Sequence, residues 1–123
     1  MKNQAYRMAM LFDFYGDLLT ERQREFYDLY YNEDLSLAEI AENYGISRQG
    51  VRDVIVRAEA AMTEIEDKTH IIRRFQQSRQ AIAAISQAAD KLLQSIDRRS
   101  YNDAMLDEIA RTIKENVAKL EQE

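Results

Sequence analysis

The chain has 123 residues, 46% of them hydrophobic and 32% charged. That is enough for one domain, or for a small domain with a helical extension, and it leaves no room for a second full enzyme domain. There is no cysteine and a single histidine, which excludes disulfides, thiolate nucleophiles and cysteine zinc sites, so neither metal nor cofactor chemistry is expected. The net charge of −5 is unevenly spread: residues 1–46 hold nine acids and four bases, residues 47–99 seven acids and ten bases, and residues 100–123 six acids and three bases. A weakly basic middle between acidic flanks is the bias a DNA-reading surface needs.

Proline is absent and there are only three glycines; sheets and hairpins usually need such residues at their turns, so the expected class is all-α. No apolar run approaches a membrane span of about 18 residues. The start of the chain has no long apolar stretch with a small-residue cleavage site, so a soluble, cytoplasmic protein is expected.

In chain order, Leu11, Phe14, Tyr15 and Leu18 recur at helical spacing, which predicts an amphipathic helix over about residues 4–18, with Gly16 near its end. Thr20 with Gln23 forms a capping-box signature, and Phe26, Leu29 and Tyr30 give the second helix one apolar face before the break Asn32-Glu33-Asp34. Ser36 with Glu39 repeats the signature for a short third helix, ended by Gly45 in the left-handed conformation. Ser47 caps a fourth helix, long because no Gly or Pro occurs after Gly50. Its apolar stripe, Val51, Ile55, Ala58, Met62 and Ile65, runs on through Ile72, Phe75, Ile82, Ile85, Leu92 and Ile96 like a coiled-coil or bundle seam. Unbroken from Ser47 to Ile96, that helix would be about 75 Å long, so a break is expected near Gln76-Gln77-Ser78-Arg79. Ser100 with Asp103 predicts the start of a last helix carrying Met105, Leu106, Ile109, Ile113, Val117 and Leu120. The expected division is residues 1–62 and a helical extension over residues 63–123.

Ser36 to Arg57 carries the functional signal. A short helix, a three-residue turn opened by glycine and a serine-capped second helix are the parts of a helix-turn-helix DNA reader. Ala41 is small where the two helices cross, Gly45 supplies a positive φ, and Ile46 plugs the corner. Val51 and Ile55 anchor the second helix, leaving Arg48, Gln49 and Arg52 on the outward face where base edges and phosphates are met. Ser47 lies beside backbone N–H groups that suit a phosphate. The candidate DNA-binding residues are Ser36, Ser47, Arg48, Gln49, Arg52 and Arg57, with double-stranded DNA as partner. The bland alternative is a tight helix pair with a solvated face. Gly50 within the second helix, costing about 1 kcal/mol relative to alanine, and Asp53, an acid near where phosphates would lie, both weigh toward it.

The stretches Met10–Glu25 (MLFDFYGDLLTERQRE), Leu29–Asp34, Ser36, Glu39–Glu42 (EIAE) and Ser47–Gln49 (SRQ) closely resemble the YlxM family. Its members are small helix-turn-helix proteins of Gram-positive bacteria, usually encoded beside the signal recognition particle GTPase or its receptor. The resemblance covers roughly residues 6–80 and implies a regulatory or assisting role in the signal recognition particle pathway. The helix-turn-helix segment is also similar to the fourth region of sigma factors, which reads a promoter's upstream element. The commonest family pattern continues SRQ with alanine, where this chain has Gly50.

Other features fit structure better than chemistry. His70, without a cysteine or second histidine, makes neither a triad nor a metal site and is expected on a helix surface or seam. Glu33-Asp34, and Glu64, Glu66 and Asp67, read as solvated acids rather than an acid–base pair. Tyr27, Tyr30, Tyr31 and Tyr44 read as core or rim packing rather than base-stacking platforms. No glycine-rich phosphate loop is present. The expectation is a sigma-region-four-like helix-turn-helix module with a long helical C-terminal extension, acting as a non-enzymatic DNA-binding regulator. Its C-terminal seam is expected to form a two-fold homodimer, against the competing idea of an intramolecular bundle. The alternative function is a protein-interaction module that contacts a signal recognition particle component.

Overall fold

A computed structural model describes residues 5–122 as six α-helices and a short 3-10 turn, with no strand among the described residues. The elements are α1 (Ala5–Tyr15), the 3-10 turn (Gly16–Leu18), α2 (Glu21–Tyr31), α3 (Leu37–Tyr44), α4 (Arg48–Thr69), α5 (Ile71–Asp97) and α6 (Asp103–Glu121). They fall into two compact units that divide after Ile72, ten residues later than the expected boundary at residue 62.

In the first unit, α4 is the spine against which α1, α2 and α3 pack. Its Val51, Ile55, Ala58 and Met62, spaced three or four apart, are fully buried and meet Leu11, Phe26, Tyr27 and Ile40 from the other helices. Each of the large aliphatic side chains and Phe26 contributes about 1.5–3 kcal/mol by leaving water, and Ala58 less. The one phenol at the centre is paired: Tyr27 donates to the carbonyl of Met8 at 2.8 Å.

The caps explain the helix starts. Thr20 and Ser36 each accept the N–H three residues on, from Gln23 and Glu39, whose side chains in turn accept the cap N–H. Gly45 ends α3 at φ 67°, and its N–H and that of Ile46 both close onto the Ala41 carbonyl. The first helix differs from expectation. It tightens to a 3-10 turn at Gly16, which swings Leu18 out to 68% exposure, and Met8 completes the buried face with Leu11 and Tyr15. The expected residue 4 lies outside the described residues.

The long helix breaks earlier than the polar run Gln76–Arg79 suggested. His70 adopts φ 54° and ends α4, so it is a left-handed helix terminus and not a surface or seam position within a helix. The new start at α5 is held from α4: the Glu66 carboxylate accepts the Ile72 N–H at 2.9 Å and the Tyr15 hydroxyl at 2.5 Å, and Thr69 Oγ1 lies 3.0 Å from that same hydroxyl. Glu66 is therefore a half-buried junction rather than a solvated acid. Gln76 to Arg79 simply continue α5.

The second unit is an antiparallel hairpin. Ala84, Gln87, Ala88 and Lys91 of α5 line a shallow groove with Glu108, Ile109 and Thr112 of α6, while Ser95 Oγ meets Met105 near the turn. The buried residues are Ala81, Ala88 and Ser95 on α5 with Ile109 and Asn116 on α6, each set stepping by seven. The polar pair is satisfied locally: Ser95 donates to the Lys91 carbonyl and Asn116 to the Thr112 carbonyl, both at 2.8 Å. Asn102, not Ser100, caps α6 by accepting the Met105 N–H at 2.9 Å, because Ser100 is committed to closing α5 through its own N–H to Ser95. Asn caps as well as Ser does.

Candidate nucleic-acid interface

The segment from Ser36 to Arg57 is two helices meeting at Gly45, as its two serine caps and single glycine predict. Ala41 is buried at the crossing and Ile46 is half-buried in the corner against the core. The buried stripe of α4 fixes which face looks outward. Gln49 and Asp53 stand opposite it, with Arg52 to one side and Arg57 to the other, and Arg48 begins the first turn. All five are exposed, with Val56 among them at 38%. Three arginines and one acid make this face basic on a chain whose net charge is −5.

The two candidate serines are used by the fold. Ser36 is half-buried and its hydroxyl accepts the Glu39 N–H at 3.1 Å, while Ser47 Oγ accepts the Gly50 N–H at 3.0 Å. Ser47 thereby pins the start of α4, where the opening N–H groups of any helix lack partners within it and carry partial positive charge. Ser36 sits at the far end of α3 from this start. Gln49 is engaged as well: its Nε2 donates to Asp53 Oδ1 at 2.9 Å. The i, i+4 spacing of that pair was visible in the chain and carries the signal for it.

The tyrosines pack as expected. Tyr27, Tyr30 and Tyr31 form a run of ring contacts, and Tyr44 meets Phe26 edge-on with centroids 4.8 Å apart. Tyr31 and Tyr44 donate to the carboxylates of Glu59 and Glu25. Burial holds the Tyr31 phenol above its ordinary pKa, and the hydrogen bond to Glu25 does the same for Tyr44. Among the described residues no group of three His, Asp or Glu is placed to hold a metal ion, and no helix is long and apolar enough to cross a membrane.

A short capped helix, a glycine turn and a second helix with its basic first turns outward define a helix-turn-helix protein. The chain belongs to the UPF0122 family, described as "Putative helix-turn-helix protein, YlxM / p13 like", whose profile matches residues 2–101. It is similar to a UPF0122 protein of Halalkalibacterium halodurans, 42% identical over 106 residues that cover 79% of this chain and 97% of the relative. A UPF0122 protein of Bacillus thuringiensis is 47% identical over 87 residues, covering 71% and 79%. One of Desulforamulus reducens is 44% identical over 85 residues, covering 69% and 73%.

Proposed function

We propose that the protein is a non-enzymatic, cytoplasmic regulator that binds double-stranded DNA as a two-fold dimer, laying α4 in the major groove in the manner of sigma factor region four. Gln49, Arg48 and Arg52 read base edges. Ser47 at the helix start, Arg57 on the flank and Ser36 on the neighbouring helix position the phosphates. The observation that supports this reading is the outward, arginine-rich face of the first turns of α4, opposite a fully buried stripe. The resemblance to the YlxM family supports a link to the signal recognition particle pathway as the regulated process.

Selection from a pool of random duplexes, followed by titration of the enriched sequence at several salt concentrations, tests it. Saturable binding should weaken by about 0.9 log unit per log unit of salt for each phosphate contacted. Gln49→Ala should relax preference at one base pair, a contact worth about 1–3 kcal/mol, while the fold persists. Absence of saturable binding at low salt overturns the DNA reading. It would favour the second reading, contact with a protein component of the signal recognition particle, which the Gln49–Asp53 bond and the acid surplus of residues 1–46 support.

A further inference from the structure

The hairpin buries one seven-residue repeat and leaves another open. Ala81, Ala88 and Ser95 face α6 and are at most 7% exposed. One position on from each stand Ile82, Ala89 and Ile96, preceded by Phe75 at the same step of seven. Of these, Phe75 is 44% exposed, and Ile82 and Ile96 are each 54% exposed. Helix α6 repeats the arrangement: Ile109 and Asn116 are buried, while Leu106, Ile113 and Leu120, again seven apart, are only half-buried, and Val117 beside them is 39% exposed.

A straight helix drifts about 20° per heptad away from a strict seven-residue stripe, so a stripe held over Phe75–Ile96 suits a supercoiled helical neighbour. Inside the hairpin the small residues on α5 serve that role for α6. The large residues point to helices that are not within the hairpin. Two such helices would complete a four-helix bundle, and the hairpin itself supplies two.

Charge selects the occupant and its direction. The end of the hairpin away from its turn, residues 73–89 with 110–122, holds six bases and two acids. The turn end, residues 90–108, holds three bases and five acids. A second hairpin turned end for end sets each basic end on an acidic one, whereas a parallel copy would stack like on like. The open face, about 30 Å long and two helices wide at 8–10 Å spacing, has a footprint on the order of 600 Å², close to what a standard interface takes from each partner.

We infer that this face is the contact between two copies of the chain, with α5 antiparallel to the α5 of the second copy and Ser86 at the two-fold axis. Arg79 and Leu93 lie seven residues to either side of Ser86 on the same exposed flank, so each meets the other across the interface, and Arg79 approaches Asp90 of the second copy. The inference rests on the dimer in the proposed function and specifies its surface; it is independent of what α4 binds.

The full chain tests it, because a chain without cysteine acquires one thiol per substitution. Ser86→Cys should yield a covalent dimer under copper–phenanthroline oxidation. Arg79→Cys and Leu93→Cys should each stay uncoupled alone and couple when mixed. Ile82→Glu, at a solvent-facing position of the free hairpin, should keep the helical signal and weaken self-association about a hundredfold, giving a monomer mass at low micromolar concentration in sedimentation. Monomeric wild-type chain at tens of micromolar overturns both the inference and the dimer. Self-coupling of Arg79→Cys as fast as that of Ser86→Cys overturns the antiparallel arrangement. A dimer that survives Ile82→Glu and does not couple through Ser86→Cys overturns this surface and leaves the dimer standing. Binding of duplex DNA is scored separately on the wild-type chain, so a failure of the DNA reading shows as no saturable binding while the Ser86→Cys cross-link still forms.

Discussion

Gln49 and Asp53 are hydrogen-bonded across one turn on the open face of α4, amide to carboxylate at 2.9 Å. The side chain best suited to read adenine is thus held by the one acid on that face. The bond orders the amide, and if the face meets DNA as proposed, the carboxylate opposes the phosphates. On the DNA-binding reading, Asp53→Asn keeps a hydrogen-bonding partner for Gln49 and removes the charge. Affinity for duplex DNA should rise about three- to tenfold at low salt, with the gain shrinking as salt screens it, when measured by fluorescence anisotropy. An unchanged affinity would place Asp53 away from the phosphates.

Gly50 occupies the third position of α4, and a Cβ there would stand 3.2 Å from Ser47 Oγ. Thr20 and Ser36 cap helices whose third residues, Gln23 and Glu39, carry full side chains, so a small rotation of the capping hydroxyl accommodates a Cβ. Gly50→Ala should therefore raise stability by about 0.5–1 kcal/mol, through helix propensity and a less free unfolded chain. Urea denaturation checks it; a loss of stability would mean that the contact with Ser47 outweighs propensity.

Burial raises the folded pKa of Tyr27 and Tyr31 well above the ordinary phenol value of 10.0, and burial, aided by the bond to Glu66, raises Tyr15 as well. A phenol with a raised folded pKa holds its proton more tightly when folded, so its contribution is whole below pH 10 and falls as pH climbs toward the folded values. The Tyr27 phenolate should then appear only together with loss of the helical signal. Tyr27→Phe should lower stability at neutral pH by about 1 kcal/mol, through the lost bond to the Met8 carbonyl, and flatten the alkaline decline. Phenolate absorbance and circular dichroism followed in one titration test both.

The local signals in the chain were legible where they are local in physics. The caps at Thr20, Ser36 and Ser47 and the glycine stop at Gly45 each need only a few neighbours, and the structure has all four. The outward placement of Arg48, Gln49 and Arg52 followed from the buried positions of Val51 and Ile55. The junction after α4 was not legible, because Ile65, Ile72 and Phe75, seven and then three residues apart, keep a helical register across it despite Lys68 and Thr69 between them, and the break is made by a backbone angle at His70, not by Gly or Pro. Its support, Tyr15 on Glu66, spans 51 residues and has no sequence period. Leu18 was misplaced for a related reason: helical spacing assumed 3.6 residues per turn where the chain tightens to a 3-10 turn.

That junction yields the last prediction. His70 is exposed and holds φ 54°, one of three non-glycine residues with positive φ among those described, the others being Asp34 and Arg99. Asp and His are among the non-glycine residues that enter this region most readily, yet their Cβ still costs roughly 1–2 kcal/mol in contact with the following carbonyl. The position is nevertheless fixed from both sides. The His70 N–H donates to the Glu66 carbonyl at 2.8 Å, and the Glu66 carboxylate takes the Ile72 N–H just beyond. His70→Gly removes the Cβ and keeps both bonds, and it also loosens the unfolded chain, which returns part of the gain. The expected net effect is a stabilisation of about 0.5–1 kcal/mol by urea denaturation. His70→Val, β-branched and ill-suited to the left-handed region, should instead lose at least about 1 kcal/mol. Equal stability of the Gly and Val chains would mean that the backbone at residue 70 is not held in this conformation in solution.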